Sequence, residues 1–184
     1  MDSSELKRLE QRVRFKYEWS RARRAVAGFA PAIVVIAMAA LLGKRPGFTL
    51  AIGAAVFVFG SGLLWYGRNL RRAVLPGFIA GVVPLTLALC ANHFGHACTG
   101  DRCVSLCLPA CMAGGLVAGI AVAAAGHRGR HGPSFWLAAS GLALLTGAMG
   151  CACVGYSGIA GLAIGFGAGL VPGLVQRLSP PRNS

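Results

Sequence analysis

Long apolar stretches alternate with short polar or basic breaks along most of the chain. A helix needs ~20 largely apolar residues to cross a bilayer, so this pattern predicts transmembrane helices. The predicted spans cover residues 25–43, 48–66, 73–91, 105–125, 133–152 and 155–175. The fold class expected from them is an all-α integral membrane protein, a bundle of about six transmembrane helices arranged as three helical hairpins.

The composition also fits a membrane environment. The 184 residues are 55% hydrophobic and 12% charged, and the mean hydropathy is +0.64. A soluble domain this apolar could not cover itself with a polar surface. The predicted organisation is a cytoplasmic basic helix at residues 1–24, the transmembrane bundle at 25–175 with a cysteine-rich outer loop at 92–105, and a short cytoplasmic tail at 176–184.

The distribution of basic residues predicts the orientation. Short cytoplasmic loops retain Lys and Arg, whereas translocated loops lose them. With the N-terminus inside, only Lys44, Arg45 and Arg102 of the 18 basic residues face outward. We therefore expect a bacterial inner-membrane protein with both termini in the cytoplasm. Its net charge of +13 then reflects membrane sidedness, and no direct nucleic-acid partner is expected.

The predicted spans contain no Asp, Glu, Lys or Arg. Ion-coupled transporters and proton pumps normally need buried ionisable groups, so this class is disfavoured. Paired carboxylates, a phosphate-binding glycine loop and a nucleophile–base–acid set are also missing. The sequence therefore predicts no catalytic or cofactor-binding residue. His127 and His131 flank two arginines in a short inner loop, which is typical of a solvated basic turn.

Cysteine is the most specific feature of the sequence, because every cysteine falls in an outer loop or near an outer helix end of the predicted topology. Core cysteines used as small hydrophobes would lie at all depths. An outer compartment is oxidising, so neighbouring thiols there form disulfides. Because seven is an odd number, at least one thiol stays free, pairs between subunits or binds something else. The disulfide candidates are Cys90, Cys98, Cys103, Cys107, Cys111, Cys151 and Cys153.

Two histidines beside these cysteines suggest an alternative, a metal site. Thiolate and imidazole groups suit zinc or copper(I). The spacing matches no zinc-finger or haem-attachment pattern, and the sequence has no Cys-x-x-Cys motif. The candidate metal ligands are His93, His96, Cys98, Cys103, Cys107 and Cys111.

Glycine recurs every fourth residue in the last predicted span. This spacing places the glycines on one helical face, where a neighbouring backbone can approach closely. We expect this ridge to pack inside the bundle, with a homodimer as the alternative use. Its members are Gly161, Gly165, Gly169 and Gly173.

The N-terminal segment, residues 3–24, predicts an amphipathic basic helix. It lacks Pro and Gly, and Asp2 and Glu5 have the spacing of a capping box. Such a helix lies on anionic lipid or docks a cytoplasmic protein. The residues expected to make lipid or partner contact are Arg12, Phe15, Lys16, Trp19 and Arg23.

Thiols outside and positive charge inside indicate a membrane-embedded regulator or sensor. Its outer face would be disulfide-bonded or metal-binding, and its cytoplasmic helix would carry the readout. This layout is similar to that of six-span membrane-bound anti-sigma factors, which hold a transcription factor through a short cytoplasmic N-terminus. The likeness is one of layout alone, without a shared motif. The alternatives are a small carrier for thiol-binding metals and a structural accessory subunit of a membrane complex.

Overall fold

The computed structural model of the chain describes residues 3–43, 46–94, 96–99, 102–129, 132–151 and 155–178. Cys153 and the end of the predicted cytoplasmic tail lie outside this part of the chain. So do the side chains of His96, Cys98 and Cys103, three of the predicted metal ligands.

The described chain is helical except for one short β-hairpin. Five helices are long and apolar enough to cross a membrane, and a sixth span results if the bent pair α1 and α2 counts as one. The predicted helical, multi-span architecture is confirmed to that extent. In chain order the elements are α1 (Ser3–Phe29), α2 (Pro31–Leu42), α3 (Pro46–Tyr66), α4 (Arg68–Phe94), β1 (His96–Thr99), β2 (Arg102–Ser105), α5 (Cys107–Arg128), α6 (Pro133–Cys151) and α7 (Tyr156–Leu178).

The first predicted span, residues 25–43, is not one straight helix. The N-terminal helix α1 continues to Phe29, and α2 begins at Pro31 with a bend of 46° between the two. Proline has no backbone N–H, and its ring clashes with the carbonyl oxygen four residues earlier, so a helix bends or breaks there. The basic segment and residues 25–29, the start of the first apolar run, therefore share α1, and the rest of that run forms α2.

Helices α4 and α6 form one parallel pair. A Cβ atom added to Gly77 would lie 2.7 Å from the carbonyl oxygen of Ala139, and one added to Gly150 would lie 2.9 Å from that of Leu85. The later residue of α4 contacts the later residue of α6, so the two helices run in the same direction. Glycine at these positions lets the two backbones touch.

Helices α5 and α7 form the second parallel pair, and its contact surface is glycine on both sides. Gly115 and Gly119 of α5 lie against the backbone of α7, while Gly165 and Gly169 lie against the backbone of α5. The predicted ridge, Gly161, Gly165, Gly169 and Gly173, therefore faces α5 along its length. Helix α5 of the same chain therefore already covers the face for which a homodimer contact was the alternative use.

Pro84 connects the two pairs. It is fully buried in α4, and it packs on Gly114 of α5 and Gly147 of α6. A proline inside a membrane helix is tolerated where neighbouring helices cover the irregular backbone. Pro84 thus brings α4, α5 and α6 into contact.

The segment predicted as an outer loop, residues 92–105, contains the β-hairpin. Strands β1 and β2 are antiparallel, with Cys98 opposite Cys103 and His96 opposite Ser105. The described pairing runs from His96 opposite Ser105 to Thr99 opposite Arg102. The chain between α4 and α5 thus has a defined register where the sequence indicated only a loop.

Candidate functional site

The helix directions divide the bundle into two chemically different ends. Helices α4 and α6 finish, and α5 begins, at one end, which also carries the β-hairpin. We term it the cysteine end, because Cys90, Cys107, Cys111 and Cys151 all lie within about two turns of these helix termini. The opposite end contains the C-terminal half of α1, the start of α4 and the end of α5, and we term it the arginine end.

One cysteine pair lies at disulfide distance. Cys111 of α5 and Cys151 of α6 have their Cα atoms 6.2 Å apart and are separated by 40 residues in sequence. Cα atoms of disulfide-bonded cysteines usually lie ~4.4–6.8 Å apart. The sequence placed both residues among the disulfide candidates without indicating that they were partners.

Both members of this pair are fully buried, at 0% exposure, in a small apolar cluster with Ala88, Ala148 and Leu162. The bond joins α5 to α6, so it connects the α5–α7 pair to the α4–α6 pair at the cysteine end. Water and soluble reductants have no direct access to a bond at this depth. As a disulfide, the pair links the two halves of the bundle at a site that solvent does not reach.

The other described thiols differ from this pair in accessibility. Cys90 is exposed and Cys107 is half-buried, and both are free thiols in the described part of the chain. In the hairpin, the register sets Cys98 directly opposite Cys103. Cys90 and Cys107 are therefore more accessible to soluble oxidants or metals than the buried pair Cys111 and Cys151.

The metal site stays a prediction. The described residues contain no group of three or more His, Cys, Asp or Glu side chains positioned to hold a metal ion. The ring of His93 packs edge-on against Phe94, with ring centroids 6.3 Å apart. A disulfide sulfur is not a thiolate, so Cys111 would be lost as a zinc or copper ligand while it is bonded to Cys151.

At the arginine end, His127 has a structural role that the sequence did not indicate. Its Nε2 atom donates a hydrogen bond to the carbonyl oxygen of Gly173 in α7, at 2.9 Å. Its ring also packs edge-on against Trp136 of α6, with centroids 6.5 Å apart. His127, interpreted from the sequence as part of a solvated basic turn, thus lies near the end of α5 and contacts both α6 and α7.

The predicted contact surface of α1 is exposed along its length. Arg12, Phe15, Lys16, Trp19 and Arg23 are all exposed. Phe15 and Trp19 stack with ring centroids 6.5 Å apart and an interplanar angle of 11°.

The aromatic residues of α1 do not lie on one face. At about 100° per residue, Phe15 and Trp19 lie on the opposite side of the helix from Val13 and Tyr17. The predicted amphipathic basic helix therefore carries aromatic residues on two opposite sides. The side with Tyr17 can contact the bundle, whereas the side with Phe15 and Trp19 can contact lipid or a partner.

No protein-family model, curated protein or solved structure matches this chain. Function must therefore be inferred from the residues at the two ends rather than from the fold. The arrangement offers one exposed and one half-buried thiol at the cysteine end, exposed guanidinium and aromatic groups at the arginine end, and closely packed helices between them.

Proposed function

We propose that the chain is a multi-pass inner-membrane regulator or sensor. Its six spans form three hairpins, its cysteine end faces the oxidising outer compartment, and its arginine end faces the cytoplasm. The observation that carries the proposal is that the described thiols lie at one end of the helices, whereas the described arginines, apart from Arg102 of β2, lie toward the other end. This separation agrees with the retention of basic residues in cytoplasmic segments.

In this proposal, the sensing groups are the accessible thiols rather than the buried pair. Cys90 is exposed and Cys107 begins α5, so oxidation or a soft metal at either residue acts directly on a helix end. Helix α5 packs closely on α7, which accepts the His127 hydrogen bond at the arginine end. Packed helices of this kind can carry a displacement from one end to the other.

The signal reaches the cytoplasm through a cytoplasmic protein that binds the side of α1 carrying Phe15 and Trp19. Phe15 and Trp19 form a stacked aromatic pair flanked by Arg12, Lys16 and Arg23. Aromatic residues and arginine are enriched where protein surfaces bind one another. Lipid remains the competing occupant of this surface, because the same side chains suit a membrane interface.

Affinity purification from cells tests the proposal. We expect a cytoplasmic protein to co-purify with the intact chain and to be lost from the variant Phe15→Ser/Trp19→Ser. Tyr66→Ser is the matched control, since Tyr66 is an exposed aromatic residue at the same end of the bundle. Blocking the outer thiols by Cys90→Ser/Cys107→Ser should change the amount recovered. Equal recovery from all variants would contradict the regulator proposal.

The full burial of Cys111 and Cys151 favours a second candidate, a structural accessory subunit. In that role the disulfide would only fix the outer end of the bundle, and no thiol would respond to oxidants. The two proposals differ in the purification experiment. An accessory subunit would co-purify with membrane proteins, and its partners would be unaffected by Cys90→Ser/Cys107→Ser.

A further inference from the structure

A groove opens beside the bend at Pro31, between α1 and the start of α4. Its polar part encloses about 530 Å³ and is lined by Tyr17, Arg21 and Arg24 of α1 together with Arg71 of α4. Gly28 also lines it. The bend of 46° between α1 and α2 lies beside this groove, and Pro31 borders its apolar part.

The groove continues into an apolar part of about 420 Å³. Gly28, Leu64 and Arg71 line both parts, so the two are contiguous. Phe29 and Phe78 lie at the base of the apolar part, where their rings pack edge-on with centroids 5.4 Å apart. A ligand that fits the whole groove must therefore carry a polar group at one end and a hydrocarbon chain at the other.

The charge of the polar part selects an anion. No acidic side chain is among the residues that line either part of the groove. Glu18, the acidic residue nearest in sequence, is 3.7 Å from Arg14. Arg24 donates its Nε hydrogen to the carbonyl oxygen of Ser20 at 3.3 Å, which leaves the terminal nitrogens of its guanidinium for a ligand. Guanidinium groups bind phosphate through paired, charge-assisted hydrogen bonds.

We propose that this groove holds one anionic phospholipid of the cytoplasmic leaflet. Its phosphate lies among Arg21, Arg24 and Arg71, and an acyl chain follows the apolar part along α4. The inference rests on the membrane orientation given under the proposed function. It differs from general adsorption of a basic helix on lipid, because it requires one defined groove and one bound molecule.

Native mass spectrometry of the whole chain in mild detergent tests this proposal. The protein is incubated with equal amounts of phosphatidylglycerol and phosphatidylcholine, and bound lipid is counted. We expect one retained phosphatidylglycerol, with retention lowered about tenfold in Arg24→Gln/Arg71→Gln, as the loss of charge-assisted bonds implies. The matched control is Arg23→Gln/Arg72→Gln, which removes equal charge from exposed neighbours that do not line the groove.

A second variant tests the shape of the groove without changing its charge. Gly28 lines both parts, and a Cβ atom added there meets only Leu64 at 3.7 Å. Gly28→Leu should therefore fold normally and displace the lipid. Equal lipid loss from both arginine pairs, or full retention in Gly28→Leu, would overturn the proposal.

Two further outcomes separate this inference from the proposed function. Inorganic phosphate should not displace the lipid, and displacement by phosphate alone would overturn the lipid site in favour of a simple anion site. A chain that is recovered in membranes with its cysteine end outside, yet binds neither lipid selectively, would overturn this inference and leave the regulator proposal standing.

Discussion

At Gly169 the absence of a side chain decides how closely α5 and α7 approach. A Cβ atom there would collide with the carbonyl oxygen of Leu116 and would lie 3.0 Å from the amide nitrogen of Ile120. Neither backbone atom can move without shifting α5. We predict that Gly169→Ala lowers the stability of the folded chain by about 1–3 kcal/mol, the usual effect of overpacking, measured as a lower thermal midpoint in detergent.

Gly167 provides the matched control, because it lies on the same helix and a Cβ atom added there meets nothing within 4 Å. Gly167→Ala should leave the midpoint unchanged or raise it slightly, since alanine favours a helix by up to ~1 kcal/mol over glycine. Equal midpoints for the two variants would mean that the close approach of α5 and α7 is wrong.

The sequence was informative at the residue scale where a chemical pattern repeats. The four-residue period of Gly161 to Gly173 indicated a close helix contact, but the partner helix, α5, could not be read from it. The hydrogen bond of His127 to Gly173 was also invisible, because it joins residues 46 positions apart. The spacing of residues in a sequence identifies which of them share one face of a helix. Which other helix that face contacts depends on how the whole bundle packs.

At the scale of elements, hydropathy located most helices well. The predicted spans 48–66 and 133–152 match α3 (Pro46–Tyr66) and α6 (Pro133–Cys151) within two residues. The span predicted over 25–43 is bent at Pro31, which hydropathy could not show because the run is apolar on both sides of the proline. The hairpin was missed for a related reason, since its four-residue strands are too short for periodicity to identify.

Disulfide connectivity belongs to this scale, because spacing alone cannot assign it. We predict that peptide mapping without reductant recovers a Cys111–Cys151 bridge between α5 and α6. A Cys98–Cys103 bridge is expected beside it, because the hairpin register sets these residues opposite each other. The Cys111–Cys151 bridge should resist soluble reductant until the chain is unfolded, since both residues are fully buried.

Cys90→Ser serves as the control for this mapping. Cys90 is an exposed, free thiol, so its replacement should leave both bridges unchanged. Recovery of Cys111 joined to any cysteine other than Cys151 would contradict the helix arrangement at the cysteine end.

For the molecule as a whole, the important property is the chemical difference between the cysteine end and the arginine end. Two parallel helix pairs, α4–α6 and α5–α7, are packed through glycine and linked by a buried cysteine pair at one end. The other end carries the exposed basic helix α1 and a groove with three arginines. Composition and charge predicted the difference between the two ends, whereas the bend at Pro31 and the groove beside it became apparent only in three dimensions.

Impermeant maleimide labelling of spheroplasts tests this difference between the two ends most directly. Cysteine is introduced by Phe94→Cys at the end of α4 or by Ser134→Cys at the start of α6, both exposed positions at opposite ends of the bundle. The background carries Cys90→Ser, Cys107→Ser and Cys153→Ser. We predict labelling at position 94 in intact spheroplasts, and at position 134 only after the membrane is permeabilised. The reverse pattern, or equal labelling at both positions, would contradict the proposed orientation.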